Sequence, residues 1–341
     1  MYRILFSILL CGVLLQPVNG QTHIQLVREG GQKSFAENVS AGNYSGITHI
    51  VNDEYAVVSD KAPEDGFFVF KITIDSITGD ISQVVNLGFR SAHKPNRDEE
   101  GIVYLPTRQT ILISGEGDMA IKEYGLDGIP TGREATIPRL FQKASANLGF
   151  EALTYSSATK MLWTCNESTL PGDGEQAVGA PLARNRIRLQ AFDESLQPAM
   201  QYAYQMDEPL MSQSAGQCTH GVPELVAMDD GSLLVLEREF FVAESKLGSY
   251  VNCKLFQVFP ALGQSISAED ALTARSPFLE KTLVHEWQTS VGLLDYDIAN
   301  YEGMCLGPRL HDGSRTLILV ADSQNQYAGI LQDWFKVLIL K

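Results

Sequence analysis

The chain of 341 residues lacks the sequence signatures of several well-known enzyme classes. It contains no glycine-rich phosphate loop ending in Lys, no His-Glu-x-x-His zinc pair, no EF-hand calcium loop and no Gly-x-Ser-x-Gly nucleophile elbow. Beyond the N-terminus, no apolar run approaches the roughly 18 residues that a membrane helix needs. These absences argue against nucleotide hydrolysis at a phosphate loop, zincin or serine hydrolase chemistry, and a membrane-spanning mature chain.

Basic residues and cysteines are also scarce. The sequence has 26 Lys and Arg against 41 Asp and Glu, a formal net charge of −15. This balance disfavours nucleic acid and anionic membranes as partners and suits cation binding. Beyond the N-terminus only Cys165, Cys218, Cys253 and Cys305 remain, without a Cys-x-x-Cys pair. Structural zinc is therefore not expected, while disulfides and buried thiols both stay open.

The first 20 residues have the features of a secretory signal peptide. Arg3 supplies a positive charge, residues 4–15 are mainly apolar, and the small residues Val18 and Gly20 fit a signal peptidase site. The apolar run is too short for a stable membrane anchor. We therefore expect cleavage after Gly20 and an exported protein, secreted or periplasmic, whose residues 21–341 form a single domain.

One pattern recurs along the mature chain: an acidic or polar residue, a small or apolar one, a strand, a turn, a second strand and another acidic residue. Each copy predicts a β-hairpin, because β-rich runs flank Gly, Asp or Asn turn residues. A second hairpin follows most copies, and four strands per unit is the composition of a propeller blade. The copies begin at Ser45-Gly46, Glu100-Gly101, Glu151-Ala152, Glu224-Leu225 and Glu302-Gly303.

The sequence therefore predicts an all-β fold, a β-propeller with six blades, five being the alternative. The copies are spaced more widely than a plain blade of about 45 residues, which leaves room for a poorly marked sixth. Segments 168–183 and 260–278, rich in Gly, Pro and Ser, are expected to be long loops. The C-terminal run Phe335–Leu340 would be the third strand of an incomplete blade, and an N-terminal strand over 23–27 would pair with it and close the ring.

Acidic residues recur at two positions of the pattern, and the propeller geometry predicts that they meet on the central axis. Crowded carboxylates must raise their pKa, pair with cations or bind a metal, and oxygen ligands favour calcium or magnesium. In the alternative reading each carboxylate accepts backbone N–H bonds that join neighbouring blades. Arg238 is the expected countercharge. The two sets are Glu100, Glu151, Glu224 and Glu302 in the first strands, and Asp60, Glu116, Glu167, Glu237 and Asp322 at the ends of the second strands.

The same stretches resemble the phytase-like family described as having esterase-like activity, over about residues 45–340. The resemblance implies an exported propeller that hydrolyses phosphate or other esters, with calcium as in the β-propeller phytases. Clustered Lys and Arg, which a highly phosphorylated substrate would need unless metal ions mediate the contact, are missing, so phytate is not the expected substrate. The motifs are, in order, Glu99–Ile102, Asn147–Leu153, Leu234–Arg238, Asn300–Met304 and Leu319–Asp322.

The leading hypothesis is a metal-assisted hydrolase of a small anionic ester or phosphoester. Glu151 or Glu167 would act as general base toward a water at the cation, and Arg238 would orient the substrate. The alternative is a non-catalytic propeller, rigidified by a structural divalent ion, that binds a glycan or peptide. The residues expected to hold the divalent cation, with calcium in first place, are Glu100, Glu116, Glu302 and Asp322.

Overall fold

The computed structural model describes residues 22–341 apart from 145–148, 178–182, 211–215 and 294–295. The predicted signal peptide and its cleavage site after Gly20 lie outside this part of the chain. Within it, no helix is long and apolar enough to cross a membrane.

The described residues form 21 strands and three short 3-10 helices. The helices are Arg139–Lys143, Pro260–Leu262 and Tyr327–Gly329. In chain order the strands are β1 (Leu26–Glu29), β2 (Lys33–Ser34), β3 (Tyr44–Val51), β4 (Glu54–Ser59), β5 (Glu64–Ile74), β6 (Ile81–Pro95), β7 (Glu99–Leu105), β8 (Thr110–Gly115), β9 (Ala120–Gly125), β10 (Pro130–Glu134), β11 (Phe150–Ser156), β12 (Met161–Asn166), β13 (Arg186–Phe192), β14 (Pro198–Gln205), β15 (Gly216–Ala227), β16 (Leu233–Ala243), β17 (Tyr250–Val258), β18 (Lys281–Ser290), β19 (Asn300–Arg309), β20 (Arg315–Asp322) and β21 (Trp334–Leu340).

These strands are arranged as the blades of a propeller, which confirms the predicted all-β fold. Blades one to four are the four-stranded sheets β3 to β6, β7 to β10, β11 to β14 and β15 to β18. Blade five is the sheet β19, β20, β21 and β1, in which β2 also pairs with β21. The first strands β3, β7, β11, β15 and β19 contact one another in a closed ring around the axis. The described residues thus form five blades, the alternative count, and not six.

The length that suggested a sixth blade lies partly in the connection between Asn166 and Arg186 of blade three and partly in the longer strands and loop of blade four. Its strands contain 12, 11, 9 and 10 residues, whereas those of blade two contain 7, 6, 6 and 5. A long connection also precedes the last strand of blade four, between Val258 and Lys281. The number of residues between two copies of the pattern does not distinguish one long blade from two short ones, because the strands of both have alternating apolar residues.

The N-terminal strand closes the ring as predicted, although it begins at Leu26 and not at residue 23. It runs antiparallel to β21, with Leu26 opposite Leu340 and Glu29 opposite Leu338. Gln25 exchanges two backbone hydrogen bonds with Lys341, at 2.8 and 2.9 Å. The terminal segments therefore complete one sheet, and β21 is not left as an unpaired edge.

Apolar side chains fill the spaces between neighbouring blades. Between blades one and two, Ala56 and Val58 of β4 pack with Ile111 and Ile113 of β8. Corresponding clusters lie between every other adjacent pair, including blades five and one. Each blade is therefore buried on both faces, and removing any blade would expose two apolar surfaces.

The cysteines predicted to be either disulfides or thiols are free thiols in the structure. Cys165, Cys253 and Cys305 are buried in the layers between blades, and Cys218 is half-buried. Burial raises the pKa of all four thiols. They pack as small apolar side chains and are not reactive nucleophiles.

Candidate functional site

The first strand of every blade carries a one-residue shift in register at the same point. An extra residue in one strand of a pair bends the strand and re-aims a side chain. In blades two, three and five the shifted residues include Glu100, Glu151 and Glu302, whose side chains reach the central axis. The shifts lie between Tyr44 and Gly46, Glu99 and Ile102, Phe150 and Leu153, Gly221 and Glu224, and Tyr301 and Gly303.

The glycines after two of these glutamates allow the first strands to approach one another closely. A Cβ atom on Gly101 would lie 2.5 Å from the carbonyl oxygen of Glu151, and one on Gly303 would lie 2.9 Å from that of Ser45. Only a hydrogen atom fits at such distances. The recurring Glu-Gly pair therefore combines a carboxylate aimed at the axis with a backbone that keeps the ring narrow.

Blade four departs from the predicted repeat. Its register shift contains Val222 and Pro223, so Glu224 lies two residues beyond the position of Glu100 and Glu151. The predicted equivalence of Glu224 with these glutamates is therefore wrong. Hydrophobic alternation does not reveal the error, because a displacement of two residues keeps the same face inward.

Glu224 and Glu237, the two glutamates of blade four in the predicted sets, lie outside the central pocket and bind protein groups. Glu224 Oε1 accepts the backbone N–H groups of Leu153 at 3.1 Å and Leu225 at 3.0 Å, which joins blades three and four. Glu237 Oε1 accepts the hydroxyl of Tyr204 at 2.5 Å and the ammonium of Lys281 at 2.6 Å. Glu237 Oε2 also accepts the backbone N–H of Asp207 at 3.0 Å, so for both glutamates the alternative, structural interpretation fits the contacts.

An acidic pocket of about 320 Å³ lies where the remaining carboxylates converge. Two basic side chains, Lys61 and Arg238, share its lining, and its other lining residues include Asn300 and Gln324. The lining thus contains seven carboxyl groups and two cationic side chains. The carboxylates are Asp60, Asp98, Glu100, Glu116, Glu151, Glu167 and Glu302.

Seven side chains were assigned a catalytic or metal-binding role from the sequence. Six of them line this pocket, and Asp322 does not. Asp322 is fully buried behind it and accepts hydrogen bonds from the backbone and side-chain amides of Gln324, the former at 2.7 Å. Burial and the nearby Glu302 raise the pKa of Asp322 well above its ordinary value. Its contacts fix Gln324, which is itself in the lining.

Arg238 joins two of the glutamates. Its Nη2 donates to Glu167 Oε1 at 2.6 Å, and its Nη1 donates to Glu302 and, at 3.0 Å, to Asn300 Oδ1. Asn300 in turn donates to Glu302 Oε1 at 2.8 Å. Burial opposes the charge of Arg238, but Glu302 and Glu167 raise its pKa, so it stays ionised. Burial raises the pKa of both glutamates, and Arg238 partly offsets that effect.

Glu100 and Glu151 are the carboxylates that most need a partner. Each is only 8% exposed, and none of the described residues donates a hydrogen bond to either. Burial, together with the neighbouring carboxylates, raises the pKa of both well above the ordinary value. One oxygen each of Glu100, Glu116 and Glu151 lie within 4.8 Å of one another, as do oxygens of Asp60, Asp98 and Glu100. A proton or a cation must neutralise this cluster.

Lys61 and Asp98 belong to the pocket but were missed by the sequence reasoning. Lys61 Nζ lies 2.5 Å from Asp60 Oδ2 and 3.1 Å from Asp98 Oδ1, and its side chain is 52% exposed. Asp98 has a left-handed backbone conformation with φ of 62°. Asp98 directly precedes the Glu99-Glu100 motif, and this position was the only feature of the sequence that could have indicated it. Its side chain points into the pocket because of the left-handed backbone conformation.

In the absence of a divalent cation, the protein should become less stable as the pH rises from about 5 to 8. Burial raises the pKa of Glu116 from 4.5 to about 7, and the pKa values of Glu100 and Glu151 are also raised. The folded state therefore holds protons that the unfolded state has already released, so the free energy of unfolding falls across this window. We expect the melting temperature, measured with a chelator present, to fall by on the order of 5 °C.

The Glu100→Gln variant is the matched control, since it removes one of the raised groups and should show a smaller decline with pH. A wild-type decline equal to that of the variant would contradict the assignment of the effect to this pocket.

Comparisons with known proteins bear on the family and the fold. The family model described as phytase-like, esterase-like activity of phytase, matches residues 39–324. No curated protein matches the sequence. Solved structures with a similar fold include streptogramin B lyase, 12% identical over 91% of this chain and 98% of that chain, with a TM-score of 0.39.

Two further solved structures have similarly low scores. The periplasmic gluconolactonase of Pseudomonas aeruginosa is 14% identical over 84% of this chain and 67% of that chain, with a TM-score of 0.34. The β-propeller domain of Cps50 (Swd1) from Myceliophteria thermophila is 10% identical over 86% of this chain and 82% of that chain, with a TM-score of 0.36. Identities of this size concern the fold alone.

Proposed function

Since the chain belongs to the phytase-like family described as having esterase-like activity, we propose that it is an exported, metal-assisted hydrolase of a small anionic ester or phosphoester. The observation that carries the proposal is the cluster of Glu100, Glu116 and Glu151. Its ligand oxygens lie within 4.8 Å of one another, and two of the three carboxylates have no hydrogen-bond donor among the described residues. Such an arrangement is costly unless protons or a cation neutralise it, and a cation is the occupant that we propose.

The donor set fits a hard divalent cation. Carboxylate oxygens without sulfur or imidazole neighbours favour calcium or magnesium, and calcium takes six to eight oxygens from flexible surroundings. Glu100 belongs to both clusters, so Asp60 and Asp98 can extend the site. In this proposal Glu151 joins Glu100 and Glu116 as a ligand. Glu302 and Asp322, which the sequence reasoning placed among the ligands, hold Arg238 and Gln324 in position.

A bound cation would polarise the ester oxygen and lower the pKa of water. Glu167 is the general base of the proposal. Its Oε1 is fixed by Arg238 at 2.6 Å, and burial raises its pKa, which makes it a better proton acceptor near neutral pH. Gly221 leaves room for it, because a Cβ there would lie 2.5 Å from Glu167 Cγ. Arg238, with protein groups at both Nη atoms, is a positioning residue.

The reaction balances with water as the only other reactant. The water oxygen bonds to the carbonyl carbon or phosphorus of the ester, and one proton passes to Glu167. The bond to the alcohol oxygen breaks, and Glu167 returns the proton to that oxygen. The products are an acid and an alcohol, and the base is regenerated.

The mature chain should hydrolyse small esters only when a divalent cation is present. The test is an assay of carboxylic and phosphoric esters after chelation and after addition of calcium or magnesium, with calorimetry of cation binding alongside. We expect at least a 100-fold dependence of turnover on the cation, as for the loss of a metal that supplies the polarisation (on the order of several kcal/mol).

Two results would contradict the proposal in different ways. A chain that binds calcium but hydrolyses no ester would be a binding module rigidified by the ion, the alternative function. A folded chain that binds neither calcium nor magnesium would leave the carboxylate cluster neutralised by protons and would remove the metal site.

A further inference from the structure

Blade four extends past the ring on the side of the acidic pocket. The first strands of the other blades begin at the register shift or one residue before it, whereas β15 begins at Gly216, five residues before Gly221. Its partner β16 continues equally far past Arg238, to Ala243. The paired extension forms a wall on one side of the pocket, which the other four blades do not form in the described part of the chain.

The alternation of a β-strand decides which side chains this wall presents. Arg238, Phe240 and Val242 line the pocket together with Thr219 and Gln217, which lie opposite Phe240 and Val242. Residues two apart on a strand are separated by about 7 Å, so the apolar surface begins one such step from Arg238. The wall therefore continues directly from the carboxylate cluster.

The opposite face of the extension holds the wall in place. The Phe241 ring packs 5.3 Å from that of Tyr250, and the Tyr250 hydroxyl donates to Glu239 at 2.6 Å. Phe240 itself packs against the apolar layer between blades four and five and is half-buried. The wall is thus part of a four-stranded sheet, and its geometry is preformed.

We propose that Phe240 and Val242 bind the apolar part of the substrate, so that the preferred substrates are esters with an aromatic or branched apolar group next to the ester bond. This inference rests on the proposed function. The pocket of about 320 Å³ accommodates one such group beside the cation site. Its other walls carry Asp60 and Asp98, which repel a substrate with many phosphates. An apolar group gains contact with Phe240 and Val242 and places no charge near these acids.

The experiment compares a phenyl with a methyl ester in the Phe240→Ala variant, using the anionic substrates phenyl phosphate and methyl phosphate. Each variant is compared with the wild type on the same substrate, so intrinsic reactivity cancels. We expect kcat/KM for the phenyl esters to fall by about tenfold, mainly through KM, and that for the methyl esters to change less than about twofold. Phe240→Leu should recover most of the loss.

The control is Leu283→Ala, which removes a half-exposed apolar side chain from the outer strand of the same blade, away from the pocket. It should leave both substrate classes unchanged. Equal losses on phenyl and methyl esters in Phe240→Ala, or no loss on either, would overturn the inference while leaving the hydrolase proposal intact.

A wild-type chain that hydrolyses no ester would contradict the proposed function, and binding then decides the inference. Phenylphosphonate is titrated into the calcium-loaded protein by calorimetry. Weaker binding to Phe240→Ala, with methylphosphonate binding unchanged, would support the apolar subsite. Equal binding of phenylphosphonate to both proteins would overturn it.

Discussion

Replacing Glu100 with Gln should abolish tight calcium binding and lower cation-dependent ester hydrolysis by at least about 100-fold. Glu100 belongs to both carboxylate clusters, so the neutral amide of Gln removes a negatively charged ligand from each of them. The expected loss exceeds the 10-fold to 100-fold effects typical of residues that merely orient metal ligands. Calorimetry of calcium binding and initial rates at saturating calcium are the measurements.

The matched control is Glu224→Gln, another buried glutamate on a first strand. Its carboxyl group accepts backbone N–H groups of Leu153, Leu225 and Met304, burial raises its pKa so that a neutral Gln resembles it, and it lies outside the pocket. We expect its activity and calcium affinity to equal those of the wild type. Glu100→Gln should in addition raise the melting temperature of the metal-free protein at pH 8, because it relieves repulsion. Retained calcium binding in Glu100→Gln would contradict the assigned site.

Replacing Arg238 with Met should destabilise the metal-free protein by about 3–5 kcal/mol at pH 8, the usual cost of removing one partner from a buried ion pair. The substitution leaves Glu167 and Glu302 buried without their cation. The free energy of unfolding from denaturant titration is the measurement. Hydrolysis should also fall, because Glu167 would no longer be held in one orientation.

Arg309→Met is the matched control for this experiment. Arg309 pairs with Asp229 at 2.6 Å, but both side chains are more than half exposed, so the loss should be at most about 1 kcal/mol. The Arg238→Met defect should shrink as the pH falls, because burial raises the pKa of both glutamates and their protonation removes the unpaired buried charge. A similar loss in both variants, or an Arg238→Met defect independent of pH, would show that Arg238 does not serve as their countercharge.

The sequence was sufficient for the propeller and for most of the pocket lining. The turn residues, the alternating strands and the Glu-Gly pairs are local features, and each specifies one hairpin regardless of the rest of the chain. Ring closure adds that equivalent residues meet on an axis, which is why Glu100, Glu116, Glu151 and Glu302 could be placed together. The number of blades was harder to predict. The long strands β15 to β18 lengthen the interval between two copies of the pattern, as an unrecognised additional blade would.

What only the tertiary structure decided is which groups contact each side chain across blades. Glu224 and Glu302 were assigned to the same position of the repeat, yet one accepts backbone amides and the other pairs with Arg238, 64 residues away. Contacts between blades also determine that no described residue donates a hydrogen bond to Glu100 or Glu151. They likewise determine that the extension of blade four brings Phe240 to the pocket. Strand periodicity fixes the face on which a side chain lies, whereas its partners come from distant segments whose register is set by the packing of whole blades.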